Sequence, residues 1–140
     1  MRVNLREIAR QSSASPERAL MDAVGDLSDY EVFHNFVLVS TYIAPEKVGS
    51  IIMPDRKIDE DRFQGKVGLV LKCGPLAFVD DKVTRFGGVT IRPGDWVVYR
   101  PSDGHELFIK DRRMVNDGVP VRLIEDTLIK GRVSDPSLIY

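Results

Sequence analysis

Side chains able to do chemistry are scattered through this sequence. Ser102, Asp103 and His105 fall together in PSDGHE, but a nucleophile, its base and the base's partner must converge from separate elements, and neighbours in one tight turn point apart. His34 and His105 are the only histidines and Cys73 the only cysteine, so a zinc site would need carboxylates from distant segments. Surface or capping roles explain the histidines more simply. Cys73 ends the apolar run that starts at Leu69, where a thiol behaves as a small buried hydrophobe. Asp55, Asp59, Glu60 and Asp61 match a calcium site in composition only, because the D-x-[DN]-x-[DN]-G pattern is absent. Gly65, Gly68 and Gly74 fit neither a dinucleotide fingerprint nor a P-loop, and Gly87-Gly88 leads into a strand candidate instead of a helix. No catalytic, cofactor-binding or metal-ligating residues can be named, and the expectation is a protein that is not an enzyme and carries no cofactor.

Composition points the same way. Twenty Lys and Arg stand against 21 Asp and Glu, a formal charge of −1, which is too close to neutral for a phosphate-tracking surface and argues against nucleic acid as a partner. The 140 residues suit one domain, and 43% hydrophobic content allows a core large enough to fold without disulfides. The first twenty residues lack an apolar stretch of signal-peptide length, and no segment approaches a membrane span. A cytoplasmic protein without a membrane partner is expected.

The elements that position these residues change character along the chain. Ser15 is a good N-cap, Pro16 suits the first helical turn, and Leu20, Val24 and Leu27 recur at helical spacing with Ala23 beside them. This predicts a short amphipathic helix within an N-terminal extension, residues 1–32. Leu5, Ile8 and Ala9 suggest a further helical turn upstream. From Phe36 the period becomes that of strands: 36–43, 65–73, 89–91, 96–100, 106–110, 119–124 and 127–133. Turn signals separate several of them, namely Pro93-Gly94-Asp95, Pro101-Ser102-Asp103-Gly104 and Asn116-Asp117-Gly118. Short strands joined by tight turns predict an all-β fold, a small barrel or sandwich; the family resemblance described below sets its bounds at about 33–133, with a tail, 134–140.

Two connections exceed simple turns. Residues 74–88 carry turn residues at both ends and Asp80-Asp81 at the centre, which suggests a protruding hairpin. Ala44 to Gln64 is longer, and a compact domain seldom keeps about twenty structureless residues without a function for them. At its centre Ile51, Ile52 and Met53 lie between Gly49-Ser50 and Pro54, followed by the charged DRKIDEDR. A short buried strand is the plainer explanation of an apolar run. The flanks oppose it, since Pro54 blocks strand pairing and the charged run resists burial. The composition favours a loop carrying an apolar plug.

Taken in order, these features resemble the co-chaperonin (GroES-like) family. A His-led first strand (FHNFVLV), a long loop centred on VGSIIM, a Gly-led strand (QGKVGLVLKCG), a roof-like excursion, IRPGDWVVY and a closing VRLIEDTLIKGRV follow family order over about residues 33–133. QGKVGLVLKCGPLAF is closest to divergent versions in tailed bacteriophages. The resemblance implies an irregular β-barrel with a mobile loop at about 44–64 and a roof loop at about 74–88, assembled as a heptameric homo-oligomer. It implies that Gly49, Ser50, Ile51, Ile52 and Met53 dock in the apical domain of a GroEL-like chaperonin to assist protein folding. It also implies a subunit interface of Phe36, Val37, Leu38 and Val39 against Leu128, Ile129 and Val133 of a neighbour. If phage-encoded, the protein works in the host cytoplasm. Ser50 stands where the family usually has a second glycine, and Met53 where it has leucine.

Three buried aliphatic side chains contribute about 1.5–3 kcal/mol each, and ordering a flexible segment takes back about 2–5 kcal/mol. One such contact is weak. Several on one ring gain roughly 10²–10⁴ by avidity, so plug and oligomer belong together. The competing expectation is a phage structural or decoration protein that reuses the barrel and anchors through its N-terminal helix.

Overall fold

Alternation in the strand sequences decides where each side chain goes. The computed structural model describes residues 15–42, 66–112 and 118–138. It contains helix α1 (Pro16–Val24) and strands β1 (Phe36–Thr41), β2 (Val67–Cys73), β3 (Trp96–Val98), β4 (His105–Ile109), β5 (Val119–Glu125) and β6 (Gly131–Val133). The strands form one sheet in the order β4-β5-β1-β2-β3-β6, with every pairing antiparallel. Helix and strands together give a mostly β protein.

Both faces of this sheet are apolar. Leu38, Leu69, Trp96, Val119 and Val121 point to one face, where α1 packs its buried Ala19, Leu20, Ala23 and Val24. Val37, Val39, Val70, Val97 and Ile124 point to the other, under Ile91 and the half-buried Ala77, Phe78, Leu128 and Ile129. A bulge in β2 adjusts the register: Leu38 faces Lys72 and Val39 faces Val70, so Leu71 has no opposite number. Tyr42 closes one end of the first cluster, its ring edge-on to Trp96 at 5.5 Å.

The expected closed barrel is replaced by an open sheet. No pairing joins β4 to β6 among the described residues, and β3 and β6 are only three residues long. With a helix over one face and irregular segments over the other, neither face needs closure to escape water. Six of the seven strand candidates form. Residues 89–91 do not; Ile91 is instead inserted into the second cluster as a single side chain. The run 127–133 is split, with a 3-10 turn at Asp126–Leu128 before β6.

The helix predicted over Ser15 to Leu27 starts where its N-cap places it but ends at Val24, so Leu27 lies beyond it. The Ser15 hydroxyl accepts a hydrogen bond from the Arg18 N–H at 3.3 Å, Pro16 opens the first turn, and the Gly25 N–H closes on the Met21 carbonyl at 2.9 Å. Lys72 Nζ then donates to the carbonyls of Leu27 and Tyr30, tying the segment after α1 to β2. The helix is thus part of the core of its own sheet. The upstream turn at Leu5 to Ala9 lies outside the described residues.

Glycine is required at the junction after β2. A Cβ on Gly74 would sit 2.4 Å from the His34 carbonyl oxygen and 2.8 Å from that of Phe33, and backbone atoms cannot rotate aside as a side chain can. Gly74→Ala is expected to lower unfolding free energy by about 1–3 kcal/mol; a chemical denaturation midpoint equal to that of the parent would contradict this packing.

Candidate functional site

The two long connections leave the sheet from opposite ends. Tyr42 N–H donates to Val67 O at 3.0 Å, and Tyr99 N–H to Lys66 O at 3.0 Å, so the chain departs for 43–65 and returns from it at a single hydrogen-bonded hairpin end. The proposed docking residues Gly49, Ser50, Ile51, Ile52 and Met53 lie outside the described residues. At the far end, β2 runs into 74–88, whose stem is fixed by bonds from Gly74 N–H to Phe36 O (2.8 Å) and from Leu76 N–H to His34 O (2.9 Å). This loop exposes Leu76, Val79 and Val83, the last at 92%.

The interface residues implied by the resemblance fall into two groups. Val37, Leu38 and Val39 are buried within the chain itself, and β1 is hydrogen-bonded along both edges, by β2 and by β5. A near-continuous apolar run is what a strand buried on both faces requires, and Phe36–Val39 supplies it at the interior of the sheet. Leu128, Ile129 and Val133 are half-buried and lie beside or on β6. Strand β6 is a sheet edge, with no partner on its outer side among the described residues. Such an edge is a template for another chain.

Between the 74–88 loop and β6 lies a groove of about 560 Å³. Phe78, Phe86, Ile91 and Ile129 supply apolar walls, and Arg85 and Arg132 stand at the rim. Arg132 is held by the Thr90 carbonyl at 2.7 Å and by the Asp95 carboxylate at 3.4 Å. Asp126, which the sequence pattern does not single out, organises this end. Its carboxylate accepts from Asn35 Nδ2 and from the Phe78 N–H, both at 2.9 Å, and its own N–H donates to Asn35 O at 3.0 Å. A charged residue after a strand looks like a surface residue in sequence; only the fold reveals that three segments meet there.

The other reactive side chains have structural partners. Asp103 pairs with Arg100, Nη2 at 3.0 Å and Nε at 3.2 Å, and this bonding holds its carboxyl below the usual range. Arg122 donates to the carbonyls of Pro101 and Asp103, so PSDGHE is a braced turn. Burial, helped by the nearby Asp95 charge, pushes the Cys73 thiol up, away from the thiolate form. Asp81 is held low by the Thr84 and Val83 N–H groups that it caps. Among the described residues no group of three His, Cys, Asp or Glu is placed to hold a metal, and no helix is long and apolar enough to cross a membrane.

Among the described residues Tyr99 is the one group with a large shift. Burial pushes its phenol up to about 12. The folded state therefore keeps a proton that the unfolded state releases near pH 10, so stability is whole below pH 10 and declines between about pH 10 and 12, by roughly 2–3 kcal/mol. Denaturation midpoints across that range should fall in the parent, and the fall should flatten in Tyr99→Phe.

A scan against models of known protein families and a search of curated proteins find no match for this chain.

Proposed function

We propose that the protein is a co-chaperonin: a ring of identical subunits that caps a chaperonin cage through Ile51-Ile52-Met53 and its flanking Gly49-Ser50, with no chemistry of its own. The observation that supports the reading is the polarity of β2, with Tyr42 and Lys66, the residues that flank 43–65, at one end and the 74–88 loop at the other. A cap needs one end to grip and the other to cover. The open edge at β6, with Leu128, Ile129 and Val133 around it, supports assembly with further copies, since pairing unlike surfaces head to tail gives a ring where the rotation between copies closes. Seven subunits, a cytoplasmic setting and a phage origin are expectations of the sequence resemblance. Near-neutral charge fits a partner held by apolar contacts.

A decoration protein anchored by its helix is the weaker alternative, because Leu20, Ala23 and Val24 are consumed by the protein's own core. The discriminating experiment is co-sedimentation with a GroEL-like chaperonin with and without nucleotide, beside mass spectrometry of virion fractions. Nucleotide-dependent retention supports the cap; stoichiometric presence in virions without retention supports the alternative.

A further inference from the structure

The segment between α1 and β1 displays aromatic side chains among acidic ones. Residues 26–33 read DLSDYEVF, with three carboxylates and no Lys or Arg. Val32 is tucked into the first cluster, while Asp29 and Glu31 are exposed, Tyr30 is 36% exposed and Phe33 59%. The backbone that carries them is fixed. Lys72 Nζ donates to the Leu27 and Tyr30 carbonyls, the Tyr30 N–H to Leu27 O at 3.0 Å, and the Phe36 N–H to Phe33 O at 3.2 Å. Exposed aromatic rings on a fixed backbone offer contact area at little ordering cost. The groove between the 74–88 loop and β6 has the complementary character: apolar walls of Phe78, Phe86, Ile91 and Ile129, and a rim of Arg85, Lys130 and Arg132. Its own carboxylate, Asp126, is taken up by Asn35 Nδ2 and the Phe78 N–H. Asp95, 3.4 Å from Arg132, and Asp81, near Arg85, reduce the positive charge of the rim without reversing it.

We propose that this groove receives residues 29–33 of a second copy of the chain, with Phe33 against the apolar walls and the Asp29 and Glu31 carboxylates against Lys130 and the two arginines. Phe33 does not line the groove of its own chain, and the bonds that pin its segment to β1 and β2 keep it from doing so. The two surfaces are unlike, so each copy presents the aromatic segment to one neighbour and the groove to the other, which is the heterologous pairing a ring uses. Opposite charge sets which surfaces meet, and the aromatic contact supplies the hold. The inference rests on the ring reading and names the surfaces that form its joints; the chaperonin is not involved in them.

Native mass spectrometry of the full chain, with cross-linking of the unaltered protein, tests it. Phe33→Ser and Arg85→Glu are each expected to weaken the contact between copies about tenfold or more, moving the mass towards monomer where the parent is assembled. An equimolar mixture of the two is expected to recover a one-to-one dimer, because one chain keeps the groove and the other the aromatic segment. In the parent, zero-length carbodiimide coupling should join Lys130 to Asp29 or Glu31, and in a reassembled mixture of isotope-labelled and unlabelled chains the link should bridge one of each. The joint is overturned if the parent assembles and both variants keep its native mass, or if it assembles and no such link bridges two chains. A monomeric parent overturns the ring reading itself, so the two failures are told apart. The cross-link is read on the unaltered protein and decides the proposal even if a variant does not fold.

Discussion

Ile52→Asp is expected to abolish retention by the chaperonin while leaving the native mass of the protein unchanged. Each docked loop contributes only a few kcal/mol after its ordering cost, as three aliphatic contacts of about 1.5–3 kcal/mol allow. A carboxylate placed in an apolar groove without a partner costs several kcal/mol, which exceeds what the remaining two side chains supply. Because the loss recurs in every subunit, the avidity of roughly 10²–10⁴ disappears as well. Co-sedimentation in the presence of nucleotide measures it directly; a variant ring that still caps the chaperonin would remove the tripeptide from the account. Ile52→Val, which keeps the apolar character, should bind close to the parent.

Leu20→Ala should lower unfolding free energy by about 2–5 kcal/mol, the range for a fully buried leucine. Leu20 is 2% exposed, in one cluster with Val24, Leu38 and Trp96, and α1 is the cover of that sheet face. An appendage that docked elsewhere would give a change of at most about 0.5 kcal/mol, the range for surface substitutions. Denaturant titration at fixed protein concentration separates the two, with concentration held constant because assembly contributes to apparent stability.

Local signals in the sequence reached the elements and stopped short of their arrangement. The cap at Ser15-Pro16 and the Leu20, Ala23, Val24 spacing placed α1 because helix termini depend on neighbours in the chain. The valine-rich runs at 36–43 and 119–124 placed β1 and β5 for the same reason. Which strand is central depends on long-range pairing, and that is why the place of Phe36–Val39 between β2 and β5 was not legible in the sequence. Closure was overestimated because strand count does not reveal what covers a face. The split of 127–133 was hidden by its apolar residues, since Leu128 and Ile129 pack against the second cluster from a 3-10 turn and the link after it as well as they would from a strand. At the site, the 74–88 connection was visible from its turn residues, whereas the role of Asp126 depends on Asn35 and Phe78, far away in sequence, and has no local signature.

The central claim is that this chain works as a ring, and native mass spectrometry of the purified protein tests it most directly. The account predicts one dominant species at seven times the 15.8 kDa chain mass, unchanged in Ile52→Asp. A stable monomer at working concentration would contradict it, because a single loop binds too weakly to cap anything.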